Sequence, residues 1–226
     1  PSTVFFGGAG VSTESGIPDF RGANGFYFQE REIPLETVLS IDFFERHPQA
    51  YWEWFHEIYR PVEPNGAHRA LASLEAAGRL DAVITQNIDG LHQRAGSRAV
   101  WELHGNWERL VCTRCGTVVA LGDAVEVDGD PVPACPSCGG QMRPDIVMYG
   151  ESLDQGVIEA AVSAIARAST LIVAGTSLVV YPAAGLINYF SGDHLALMNA
   201  TPTSADAHAD LIVRDPVGAT LEIGRA

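Results

Sequence analysis

The sequence predicts an α/β fold built on a parallel sheet and interrupted by a small metal-binding module. Three observations predict it. Short apolar runs alternate with helical stretches over most of the 226 residues, the pattern that arises when helices cover both faces of a parallel sheet. Glycines crowd directly behind the first apolar run, in Gly7-Gly8-Ala9-Gly10. Two Cys-x2-Cys pairs, Cys112/Cys115 and Cys135/Cys138, are separated by 19 residues in a stretch poor in helix signals.

In chain order, strands are predicted at 3–6, 82–85, 100–103, 170–174, 195–199 and 211–213. Ala67, Leu71 and Leu74 recur at helical spacing, with Gly78 beyond them as a C-terminal stop. Residues 157–168 and 183–190 supply further helices. Residues 26–60, rich in aromatics and acids, read as a helical module or a loop covering a cleft. The expected division is a large sheet domain from 1–25, 61–111 and 144–226, a helical module or cofactor loop at 26–60, and a small domain at 112–143.

Composition narrows the partners. The 46% of hydrophobic residues are ample for a core. All 14 basic residues are arginines, none is lysine, and 28 acids bring the net charge to −14. Such a balance argues against a nucleic-acid-binding surface and is compatible with a cationic partner. No apolar run reaches the roughly 18 residues of a membrane span, and no charged segment with a cleavage site opens the chain. The expectation is a soluble cytoplasmic protein with no membrane partner; the sequence sets no oligomeric state and is compatible with a monomer.

Four thiolates at the spacing of Cys112, Cys115, Cys135 and Cys138 suit one tetrahedral zinc ion of the zinc-ribbon kind, with Gly116 and Gly139 allowing tight knuckles. Two disulfides are the alternative, less suited to a chain with no secretory signal. With every ligand supplied by protein, such a zinc is structural. The glycines after the first strand let a backbone approach a pyrophosphate, although a ligand-free tight turn has the same composition and Gly8-x-Gly10 lacks the usual third glycine. Ile17-Pro18-Asp19-Phe20-Arg21-Gly22 then places a rigid turn, an aromatic face and a guanidinium nearby. Thr85-Gln86-Asn87-Ile88-Asp89 and Glu102-Leu103-His104-Gly105-Asn106 come directly after buried strands, so their polar groups fall at the carboxyl edge where open α/β sheets bind ligands. A histidine there is suited to general-base work. His104 is the candidate; His47, His56, His68 and His92 read as structural.

These segments, together with Tyr149-Gly150-Glu151 and Gly175-Thr176-Ser177-Leu178, occur in the order of the sirtuin family, and the chain resembles its bacterial, undifferentiated class from about residue 3 to 221. The resemblance implies an NAD-dependent protein-lysine deacetylase with a Rossmann-like large domain, a zinc-ribbon small domain with one structural zinc per chain, and substrate between them. It implies that Ala9, Thr13, Phe20, Arg21, Gln86, Ile88, Asp89, Thr176, Ser177, Asn199 and Val217 bind NAD. Asn87 orders the ribose and His104 accepts a proton from its hydroxyl. The backbones at Gly150, Glu151, Val179 and Tyr181 pair with an acetylated-lysine peptide as added strands. Nicotinamide leaves and O-acetyl-ADP-ribose forms. ADP-ribosyl transfer and NAD hydrolysis are the alternative uses of such a site. Two departures from the family pattern stand out. Gly7 replaces a threonine, and Phe55 and Ile58 take the Tyr-x-x-Arg positions with which desuccinylating members bind an acyl carboxylate.

Overall fold

The computed structural model describes residues 2–19 and 33–223. Its centre is a six-stranded parallel sheet of β1 (Thr3–Gly7), β2 (Ala82–Thr85), β3 (Val100–Glu102), β9 (Thr170–Ala174), β10 (His194–Met198) and β11 (Leu211–Val213), in the order β11-β10-β9-β1-β2-β3. These are the six predicted strands, with ends shifted by a residue at most. They were readable because strands covered on both faces must be apolar at nearly every position: β2 is buried throughout.

Alternate side chains of β1 feed two cores. Val4 and Phe6 pack with Leu171, Val173, Ala161 and Ile165 beneath α6 (Gln155–Arg167). Phe5 packs on the opposite face with Ala67, Leu71 and Val217, from α4 (Gly66–Ala76) and α7 (Val217–Ile223). Helix α4 ends as predicted. Gly78, at φ +67°, donates to Glu75 O at 2.9 Å, and Arg79 N donates to Leu74 O at 2.8 Å, a Schellman closure. Residues 183–190 are helical as expected, with Ala183–Tyr189 forming a 3₁₀ helix. Pro182 brings no N–H to its first turn, and bonds such as Gly185 N to Pro182 O at 3.0 Å close it at three-residue spacing.

Between β3 and α6 the sheet character changes. A three-stranded antiparallel sheet of β4 (Gly105–Cys112), β5 (Val118–Ala120) and β8 (Met142–Ile146) is joined by a hairpin of β6 (Val125–Val127) and β7 (Asp130–Ala134). On this unit rest α1 (Leu35–Val38), α2 (Ile41–Arg46) and α3 (Pro48–Ile58), while α5 (Leu91–Arg94) comes after β2. Trp52, Tyr51, Phe55 and Phe44 form one aromatic core with Leu110, Met142, Ile146, Cys112 and Cys135. The helical segment therefore shares its core with the cysteine-bearing strands, and Trp52 Nε1 donates to Met142 O at 3.3 Å.

The sheet order places the topological switch point between β1 and β9, where the two loops touch. Gly8 N donates to Ala174 O at 3.1 Å and Gly10 N to Gly175 O at 2.8 Å. Gly175 adopts φ +58°, and a Cβ there would meet Val11 N at 2.4 Å. Gly78 also has positive φ but faces open space. Gly78→Ala should therefore cost only the left-handed penalty, about 1–2 kcal/mol, whereas Gly175→Ala should cost more than about 3 kcal/mol because backbone must move as well. Urea unfolding of the two variants measures the difference.

Candidate functional site

Parallel register aligns Gly7, Thr85, Glu102, Ala174 and Met198 in one row across the sheet. The segments that leave these strand ends share the carboxyl edge: the glycine loop, Gln86 to Asp89, His104, Gly175 to Ser177, and Asn199. Ala9 opens a 3₁₀ turn in that loop, and Thr13 Oγ1 donates to Gly10 O at 3.0 Å. Gln86 bridges the gap at the switch point. Its N–H donates to Gly7 O at 3.0 Å, and its Nε2 donates to Thr176 Oγ1 at 3.0 Å. Thr176 Oγ1 also accepts from Leu178 N at 3.2 Å, holding Leu178 at φ +55°, a conformation costly for a branched side chain.

His104 Nδ1 lies 2.7 Å from Gln86 O. A carbonyl only accepts, so Nδ1 carries the ring proton and Nε2 keeps its lone pair. Burial lowers the imidazole pKa below its ordinary value, with the Gln86 bond opposing the shift. The neutral, proton-accepting form is thereby favoured. The turn that presents this ring is closely confined. Gly105 has φ +78°, a Cβ there would strike Asp145 O at 2.1 Å, and Val147 N donates to His104 O at 2.9 Å.

Below the glycine loop runs a buried polar chain. Ser12 Oγ donates to Asp89 Oδ2 at 2.6 Å and accepts from Asn87 Nδ2 at 3.0 Å. Asp89 Oδ1 accepts from Leu91 N at 3.0 Å. Burial raises the Asp89 pKa, and these hydrogen bonds moderate the rise. His68 Nε2 lies 3.5 Å from Ser12 Oγ, and its Nδ1 accepts from Asn65 N at 3.2 Å. Asn65 in turn caps α4 and donates to Val11 O at 2.8 Å. Between Asn87 and Asp89, Ile88 is tied to β4, its carbonyl accepting from Trp107 N at 2.9 Å.

The other predicted residues divide by placement. Ser177, Val179 and Tyr181 are exposed, the last two 54% and 72%. Asn199 Nδ2 donates to Thr201 O at 2.8 Å. Val217 is buried in the core. Gly150 has φ +93°, and the Glu151 carboxylate is turned onto Arg143 at 2.7 Å. Phe20 and Arg21 lie outside the described residues. Sequence reasoning assigned no role to Ser12, Asn65 or Arg143. Asn65 ahead of an apolar run was a readable N-cap signal, whereas the reciprocal role of His68 departs from the usual Glu or Gln; Arg143 carried no signal.

The four cysteine sulfurs lie within 4.8 Å of one another. Their closest separations are 3.4, 3.5 and 3.7 Å, far longer than a disulfide and near the roughly 3.8 Å edge of a ZnS₄ tetrahedron with 2.3 Å bonds. The knuckles repeat each other. Arg114 N and Ser137 N point at Cys112 Sγ and Cys135 Sγ at 3.4 Å, and Gly116 and Gly139, both with positive φ, donate to Cys112 O and Cys135 O. The four sulfurs are clustered in position to bind one structural zinc, and with every ligand from protein such an ion would keep no open position.

A model of the Sir2 family matches residues 8–182. An NAD-dependent protein deacetylase of Clostridium acetobutylicum is 50% identical over 225 residues, covering 98% of this chain and 91% of the relative. A solved structure of Sir2 with a p53 peptide and NAD⁺ superposes with a TM-score of 0.86 at 43% identity, covering 99% of this chain and 94% of that one. Another, a Sir2 variant with deacetylated p53 peptide and 3′-O-acetyl ADP ribose, has a TM-score of 0.87 at 44% identity over 97% of this chain and 90% of the other.

His68 and His92 are buried in ring contact at 4.7 Å, and both nitrogens of His92 lack a partner among the described residues. Burial pushes His68 down to about 4 and His92 to about 3, with Arg69 and His68 respectively adding to the shift. The unfolded chain binds protons near 6.5, where the folded chain refuses them. Stability is therefore full above that pH and falls on acidification toward the folded values, by up to about 1.4 kcal/mol per pH unit for each imidazole. His92→Phe should flatten the loss between pH 7 and pH 5 by one proton's slope, measured as the shift in urea midpoint.

Proposed function

We propose, for a chain that belongs to the Sir2 family and is an NAD-dependent protein deacetylase, a division of labour among the residues of the carboxyl edge. The enzyme transfers the acetyl group of an acetylated lysine to ADP-ribose, with release of nicotinamide and O-acetyl-ADP-ribose. NAD is spent as a co-substrate. In this reading the glycine loop from Gly8 to Thr13, with Thr176, Ser177, Asn199 and the backbone at Val217, receives the phosphates and adenosine, and Phe20 and Arg21 join it. Gln86, Ile88 and Asp89 enclose the nicotinamide ribose. Asn87, oriented by Ser12, orders the ribose hydroxyls.

His104 is the general base. The observation that carries this role is the 2.7 Å contact between its Nδ1 and Gln86 O, which leaves Nε2 as the basic nitrogen at the edge where the strand ends meet. Acetylated proteins enter between the 147–151 and 179–181 segments, where Tyr149, Val179 and Tyr181 are exposed. We divide the chain as 1–25, 61–111 and 144–226 for cofactor binding, 26–60 for the helical module and 112–143 for zinc. No helix among the described residues is long and apolar enough to cross a membrane; we place the protein in the cytoplasm, with neither nucleic acid nor membrane as a partner.

Replacing His104 by alanine should reduce peptide-dependent nicotinamide release by about 10²–10⁴ while zinc content and unfolding midpoint stay unchanged. Because the folded pKa of His104 is lowered, kcat/KM of the parent enzyme should lose its acid limb below the ordinary imidazole range, about 6.5. ADP-ribose formed at full rate without peptide would favour NAD hydrolysis instead.

Acyl choice is set by α3. Phe55 is buried, stacked on Tyr59 at 5.4 Å and edge-on to Trp107 at 6.4 Å, and Ile58 offers no donor. A carboxylate brought there would lose hydration without repayment. Succinyl-peptide kcat/KM should fall below acetyl-peptide kcat/KM by at least about tenfold; equal turnover of the two peptides refutes the assignment.

A further inference from the structure

Arg143 and Glu151 belong neither to the proton-transfer chain nor to the zinc site, yet they make the most fully hydrogen-bonded ion pair among the described residues. Nη1 and Nη2 of Arg143 donate to Oε1 and Oε2 of Glu151, each at 2.7 Å. Both groups have further duties. Arg143 Nη2 donates to Ile146 O at 2.8 Å, Glu151 Oε2 accepts from Met148 N at 2.9 Å, and the guanidinium carbon stands 5.8 Å from the centre of the Phe44 ring. The side chains are 15% and 27% exposed. This is the partly buried, bidentate geometry in which an ion pair constrains structure, unlike the exposed pairs that contribute little. Burial works against the charge of Glu151, and Arg143 with the Met148 N–H overcomes it, leaving the carboxyl pKa below its ordinary value.

The pair closes a loop on itself. Arg143 lies within β8 and Glu151 just beyond the segment 147–150, and that segment is held at three places. Val147 N donates to His104 O at 2.9 Å. Tyr149 N donates to Leu39 O at 2.9 Å, and Ile41 N donates to Tyr149 O at 3.0 Å, so Ser40 and Tyr149 form a parallel bridge. One turn of chain thus touches the general base, the helical segment and the proposed peptide edge. Its curvature is set by an ion pair spanning eight residues.

We propose that Arg143 and Glu151 are positioning residues, an ion-pair staple that shapes the 147–151 edge for the acyl peptide. The Glu151 carboxylate is engaged by Arg143 and the Met148 N–H, so in this reading it acts on the peptide only through the shape of the segment. The inference rests on the deacetylase reading above and assigns the pair no contact with NAD. Loss of the staple should therefore be felt in peptide recognition before it is felt in cofactor binding or chemistry.

The test is steady-state kinetics of zinc-loaded enzyme with an acetyl-lysine peptide and NAD varied separately. Glu151→Gln keeps an acceptor for Met148 N–H and loses the charge pair; Arg143→Lys keeps the charge and loses the fork. Expected for Glu151→Gln is a peptide KM raised by about tenfold, with kcat and NAD KM within about threefold and zinc content unchanged. Arg143→Lys should give a smaller rise of the same kind. Should Glu151→Gln fail to fold, Glu151→Asp, one methylene too short to keep all three hydrogen bonds, carries the same measurement. Peptide KM unmoved in folded variants, or NAD KM raised equally, overturns the staple. Absence of peptide turnover in the parent enzyme would instead overturn the functional reading on which it rests.

Discussion

The contact between two backbones at the switch point of the sheet governs the arrangement of everything around it. Gly10 N reaches Gly175 O at 2.8 Å, and no side chain fits between the loops. Because the loops meet, Gln86 can span from Gly7 to Thr176 with hydrogen bonds near 3.0 Å. Because Gln86 is fixed, its carbonyl is available to select the tautomer of His104. Four hydrogen bonds thus connect a steric requirement for glycine to the tautomer of one ring. The same loop carries Ser12 into the buried chain that holds Asn87 and Asp89, where an unpaired polar group would be expensive.

The cysteine-bearing strands contribute more than a separate stable unit. β4 begins immediately after His104 and β8 leads into the 147–151 segment, and the two strands pair from Gly105↔Ile146 to Cys112↔Met142. Zinc closes the far end of this ladder, and the confined Gly105 turn closes the near end. A metal held there would stiffen the strands that flank His104 and the 147–151 segment. The aromatic core around Trp52 adds the third side, joining α1 to α3 with those strands rather than with the parallel sheet. A net charge of −14 with no lysine in the chain is compatible with steering of cationic partners, an effect that weakens with salt.

Much of this could be read along the chain, and the exceptions share a cause. Strands of a doubly covered sheet are apolar runs, Gly78 marks the end of α4, and Cys-x2-Cys pairs report a zinc site, because each signal is local and set by backbone or ligand geometry. The 3₁₀ form of segment 183–190 was not legible because its apolar spacing fits α and 3₁₀ turns alike, and only Pro182 and the packing beneath decide between them.

By itself the sequence determined the α/β class, the strands and the four clustered cysteines, since periodicity and spacing need no knowledge of distant contacts. Only the tertiary structure decided that Gln86 O holds His104 Nδ1, that Ser12 joins Asn87 to Asp89, that the helical segment shares its core with the cysteine-bearing strands, and that Glu151 turns its carboxylate to Arg143. Each of these depends on the direction of a side chain or on residues far apart in the chain. Hydrogen bonds act over about 3 Å in space, a distance that one-dimensional order does not encode.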